Sequence, residues 1–204
     1  MTSTKVLAAM VCVAFLFGCG VIKNAILKSN KGAALLVGAG QAAASKAPIG
    51  IEEERAYGGA IAIKVVKKYG GLVEDEALTR YVGLVGNSVA AFSDRPDVRY
   101  HFGVLKSEGV NAVSAPGGYV FITVGALRRM KSEAELAGVL AHEVSHITAR
   151  HAVEIIKNLK AKSALVGAAA NTIDNPDFFK SIVNAFLDDF LSRGLPQDTE
   201  FEAD

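Results

Sequence analysis

The sequence predicts an α+β domain, mainly helical, with a small β-sheet or hairpin. Two features carry that expectation. Four stretches of the chain read as helix, and in two of them apolar residues recur at three- and four-residue spacing. Between the second and third lies "NAVSAPGGYVFITVGAL", two short apolar runs about a Pro-Gly-Gly turn, which reads as a hairpin.

Taken in order, residues 51–69 form the first expected helix, ended by Gly70 and Gly71. Residues 75–92 form the second, ended by "SDRPD". These two carry no cluster of ligating side chains and are expected to pack around the rest. Residues 99–106, "RYHFGVLK", have strand composition. His101 within it is read as a surface or satisfied core histidine. Residues 111–115 and 119–123 are the hairpin strands, and the turn between them needs glycine's free φ. The hairpin is either a plain packing element or the rim of a cleft.

The third helix opens on Ser132, with Glu135 three residues later, the form of a capping box. Leu136, Val139, Leu140, Val144 and Ile147 give it an apolar face, and no proline or glycine interrupts residues 139–160, so one continuous rod is expected. It contains "HEVSH". On a helix, residues four apart lie one above the other, so His142 and His146 can share one ion about 2 Å from each imidazole nitrogen. Glu143 is rotated by about 100° from His142, where it can reach a metal-bound water without being a ligand. The alternative is two histidines that share a face by coincidence, at a desolvation cost that a metal would remove.

The third ligand is not local. A metzincin would need glycine and histidine at positions held by Ala149 and Ala152. His151, five residues past His146, falls on another face of a continuous rod and is expected to be an outer-sphere or surface group. Downstream carboxylates are Glu154, Glu200 and Glu202. Glu154 points outward along the same rod. In "TEFEAD", Glu200 and Asp204 stand four apart on an expected helix, where a ligand and a group that orients a ligand could sit side by side.

"NAVSAPGGYVFITVGAL", "SEAELAGVLAHEVSHITARH" and "EFEAD" occur in that order. Together they resemble the zinc metallopeptidase family of HtpX and the CaaX prenyl endoprotease, gluzincins with HExxH followed by ExxxD, and within it the periplasmic lipoprotein branch of BepA and LoiP. The likeness covers roughly residues 50–204. It implies a minigluzincin-like fold with the small sheet beside the HExxH helix, and one Zn2+ per chain held by His142, His146 and Glu200. It further implies Glu143 as general base and Asp204 as the outer-sphere partner of a ligating histidine, His142. It places the hairpin above the metal, so Asn111 and Ala112 are the expected substrate-edge positions. The family continues well past this motif, so the peptidase domain, residues 48–204, is expected to be truncated at its C-terminus.

The N-terminus reads as a lipoprotein signal. An apolar run at residues 6–17 leads to "LFGCG", which resembles a lipobox with Cys19 as the lipidated residue. Residues 1–18 are then the signal peptide and 19–47, rich in Ala, Gly, Ser and Lys, a tether. An uncleaved anchor is the alternative, since apolar residues resume at Val21 and Ile22. Gly20 after the cysteine points to the outer membrane, facing the periplasm of a bacterial envelope.

Cys12 and Cys19 are the two cysteines, so no thiol of the mature body is left for a metal or a disulfide. With 22 Lys+Arg against 21 Asp+Glu, no nucleic-acid partner is expected. The ~155 residues after the tether suffice for one core. Residues 177–192 are amphipathic through Phe178, Ile182, Val183, Phe186, Leu187 and Phe190, and are expected to pack or to cover the site. The chain is thus expected to be a metalloendopeptidase acting on misfolded or unassembled envelope proteins. The alternatives are a non-enzymatic envelope chaperone that keeps a zinc-stabilised fold, and a lipid-anchored structural protein.

Overall fold

The computed structural model describes residues 48–165, 175–193, 200 and 203. The signal, the tether, Cys19, Glu202 and Asp204 therefore lie outside the described residues. In chain order the elements are α1 (Ile51–Lys68), α2 (Glu76–Ala90), β1 (His101–Leu105), β2 (Ala112–Ala115) and β3 (Tyr119–Thr123). They are followed by α3 (Val124–Leu127), α4 (Glu133–Thr148), α5 (His151–Leu165) and α6 (Pro176–Arg193). The mainly helical α+β expectation holds. Among the described residues, no helix is long and apolar enough to cross a membrane.

The three strands form one sheet in the order β1-β3-β2. The expected hairpin is present: β2 runs antiparallel to β3, with Ala112 opposite Ile122. β1 lies on the far side of β3 and parallel to it, His101 opposite Tyr119. At the turn, Gly117 and Gly118 adopt φ of 76° and 102°, the left-handed region where a side chain is strained. Helix α1 presses onto that turn so closely that a Cβ at Gly58 would lie 1.7 Å from the Pro116 carbonyl oxygen.

Strand alternation sends side chains to both faces of the sheet, and both faces are covered. On one, Leu105, Val113, Ala115 and Phe121 join Tyr57, Ile61 and Val65 of α1, Val153 and Ile156 of α5, and Phe178, Ile182 and Phe186 of α6. On the other, Val104, Val120 and Ile122 meet Val82 of α2 and Leu136, Leu140, Val144 and Ile147 of α4. Burying each of those four α4 side chains contributes about 1.5–3 kcal/mol. It also fixes the helix's rotation, leaving His142 and His146 off the core-facing stripe. Helix α6 therefore packs through its apolar stripe. It starts on Pro176, one residue earlier than expected, with the Asn175 side chain accepting the Phe178 amide at 3.1 Å.

The capping box expected at Ser132 forms with one difference, and α2 is capped as well. Asp75 accepts the Leu78 amide at 2.9 Å at the start of α2. Ser132 accepts the Glu135 amide at 3.2 Å at the start of α4, but Glu135 returns its carboxylate to the Lys131 amide, at 2.8 Å, rather than to that of Ser132.

The expected single rod over residues 139–160 is wrong. It breaks after Thr148, and α5 starts afresh at His151. Between them Arg150 takes a φ of 60°, costly for a residue with a Cβ, by roughly 1–2 kcal/mol. Tertiary bonds hold it there. The Arg150 guanidinium pairs with Glu54 of α1 at 3.0 Å and donates to the Ile49 carbonyl at 2.7 Å. Glu54 is only 1% exposed, pairs also with Arg95 at 3.0 Å, and accepts the Gly117 amide at 3.3 Å.

Candidate metal centre

Helix α4 supplies two of the three converging donors. His142 Nε2 and His146 Nε2 are 3.1 Å apart. Glu200 enters from 58 residues along the chain, its Oε2 3.2 Å from His142 Nε2 and 3.7 Å from His146 Nε2. One ligand atom from each of the three residues lies within 4.8 Å of the others, a group that could hold a metal ion. Their environments differ: the His146 side chain is 6% exposed and that of Glu200 44%.

Glu143 sits beside this group without belonging to it. It is 8% exposed. Burial pushes its carboxyl above the usual carboxylate range, and the charge of Glu200 adds to that; the Ser114 hydroxyl and backbone amide, together with His142, pull it back. Ser114 was not picked out from the sequence. Its signal was weak: it is two residues past Ala112 and so on the same sheet face, but a serine in a strand has many uses.

Glu143, His146 and Glu200 line a cleft of about 680 Å³ together with Asn111, Ala112 and Ser114 of the hairpin. Ala126, Met130, Val139 and Phe190 give it apolar surface. Strand β2 is at the sheet's edge and, among the described residues, no strand pairs with its outer side. Backbone pairing tells Asn111 and Ala112 apart. The Asn111 amide donates to Thr123 Oγ1 at 3.0 Å, and its carbonyl accepts the Thr123 amide at 3.0 Å. Antiparallel alternation then turns the N–H and C=O of Ala112 to the free edge. The Asn111 side chain is engaged elsewhere, donating to the Tyr69 hydroxyl at 2.8 Å.

His101 is exposed and stacks on Tyr119, away from this cleft. Glu154 is exposed and pairs with Lys157 at 3.0 Å, so it is not a donor here. His151 is not a surface group: it is 6% exposed and its Nδ1 lies 2.8 Å from that of His146.

Residues 76–204, more than half of the chain, match Peptidase family M48. The chain belongs to this family. A fission yeast protein, mitochondrial metalloendopeptidase OMA1 of Schizosaccharomyces pombe, is 40% identical over 86 residues, which are 42% of this chain and 26% of that protein. The Arabidopsis thaliana protein of the same name is 34% identical over 116 residues, 56% of this chain and 23% of its own length. A putative beta-barrel assembly-enhancing protease of Vibrio cholerae is 29% identical over 107 residues, 50% of this chain and 22% of that protein. The chain thus spans about a quarter of the length of these relatives.

Proposed function

We propose that this chain is a zinc-dependent metalloendopeptidase that hydrolyses peptide bonds in misfolded or unassembled proteins of the cell envelope. The observation that carries the reading is the buried carboxyl of Glu143 standing next to, but outside, three converging donors, in a cleft bordered by a free strand edge. The donor spacing supports zinc. Ligands about 2.0–2.1 Å from a tetrahedral ion lie about 3.3 Å from one another, and the three separations here are 3.1, 3.2 and 3.7 Å. His142, His146 and Glu200 would hold one ion, which when bound supplies Lewis-acid activation of a water and of the scissile carbonyl.

The chain's own residues do the rest. Glu143 takes the proton of the attacking water and returns it to the leaving amine. A carboxyl raised by burial suits that work, because it must hold the proton between the two steps. An extended substrate adds to the edge of β2 through the N–H and C=O of Ala112, so its backbone is read rather than its sequence. That mode suits unfolded chains. The apolar lining of the cleft favours hydrophobic side chains, which folded proteins bury.

Two experiments test this reading. Glu143→Gln keeps size and polarity but removes the base. Unfolded casein should be cleaved about 10²–10⁴-fold more slowly, with the parental zinc content retained; cleavage at the parental rate, or a parent that holds zinc and cleaves nothing, defeats the proposal. The envelope location rests on "LFGCG" and on the protease names of the bacterial relatives. Cys19→Ser should abolish labelling by radioactive palmitate, and equal label in variant and parent removes the lipid anchor.

A further inference from the structure

We infer that His151 is a positioning residue for His146, placed by the left-handed break at Arg150. The inference rests on the metal reading above for its consequence, and on the geometry of the break for its cause. On an uninterrupted helix, five residues turn about 500°, which leaves the second side chain about 140° away from the first. His151 could then not touch His146. The break reverses this. With Arg150 at φ 60°, α5 leaves α4 at a new angle and brings the two imidazoles together, centroids 5.1 Å apart and planes inclined at 65°. Both rings are buried, at 5% and 6% exposure, and their Nδ1 atoms are 2.8 Å apart.

At that distance one nitrogen donates and the other accepts. Only one assignment is compatible with a metal. If His151 donated, a neutral His146 would carry its proton on Nε2 and could offer no lone pair beside His142 and Glu200. His146 therefore donates from Nδ1, His151 accepts at Nδ1, and the Nε2 lone pair of His146 faces the other two donors. The contact sets both the ring's orientation and its tautomer. Its support reaches far from the site: Glu54, through Arg150, holds the backbone that puts His151 in place.

The test is zinc affinity, measured by competition with a chelator on the folded full chain, beside the melting temperature of the metal-free protein. His151→Asn keeps an oxygen acceptor near the position of Nδ1, whereas His151→Gln places its polar group about where Nε2 sits and His151→Leu keeps none. His151→Leu and His151→Gln should bind zinc about 10–100-fold more weakly than the parent, and His151→Asn should recover most of the loss. Parental affinity in His151→Gln overturns the inference, as does a folded His151→Asn no tighter than Gln. Should His151→Leu fail to fold, the Asn–Gln pair alone decides. A parent that binds no zinc overturns the metal reading and this inference with it, whereas a zinc-binding parent matched by all its variants overturns this inference alone.

Discussion

The two halves of the candidate centre are built in opposite ways. His142, Glu143 and His146 stand on one helix, and that helix is fixed from outside the site by Leu136, Leu140, Val144 and Ile147 packed on the sheet. Their mutual geometry is a local property of α-helix, present wherever the helix is present. Glu200 has no such guarantee. It arrives from 58 residues away with a side chain 44% exposed, and its place depends on everything that folds in between. In the local half Glu143 and His146 are buried and the His142 side chain is 27% exposed; the remote half rests on the more exposed Glu200.

The largest expected effects compare the halves directly. His146→Ala and Glu200→Gln should each weaken zinc binding by more than the ~100-fold typical of an outer partner. The loss should be greater for His146, because water can enter at the exposed position of Glu200 but not at the buried one. Chelator competition on both variants measures this, and parental affinity in Glu200→Gln would put the third ligand elsewhere. A smaller effect sharpens the remote half. If Asp204 orients a ligating histidine, Asp204→Asn should cost about 10–100-fold in the same titration. Least of all, Ser132→Ala removes the hydroxyl that caps α4 and should lower stability by about 1 kcal/mol. In a urea melt of the metal-free protein that loss should appear, while zinc affinity stays within twofold; a large affinity change would mean that the local half is less independent than its helix suggests.

The same division explains what could be read in the sequence. Local rules placed α4 through its Ser132 cap and the hairpin through Pro116, Gly117 and Gly118. The histidine pair followed from spacing alone. Glu200 was singled out by its four-residue spacing from Asp204, and its role as third ligand came only through the resemblance of three motifs. The break at Arg150 was not legible. It has neither glycine nor proline, and the bonds that hold it come from Ile49 and Glu54, about a hundred residues earlier in the chain. For the same reason the sequence put His151 on a different face from His146 and left it between an outer-sphere and a surface group, where the structure places it against His146. The parallel pairing of β1 with β3 is likewise a long-range choice that strand composition does not record.

The ion cluster at Glu54 bears on how much of the chain ahead of the family match the site depends on. The family match starts at residue 76, after α1 has ended. A fragment cut at that boundary keeps both histidines, Glu143 and Glu200, yet loses Glu54 and leaves Arg95 and Arg150 facing the space it filled. Glu54 is the buried member of this cluster, at 1% exposure, while the Arg95 and Arg150 side chains keep 19% and 39%, so the cut removes their anchor rather than stranding a buried charge. The Gly117 amide and the left-handed turn at Arg150 would lose their support in the same cut. A fragment that keeps the turn at Arg150 supported must therefore include Ile49 and Glu54, and one trimmed to the recognisable motifs would carry His142, Glu143, His146 and Glu200 without that support.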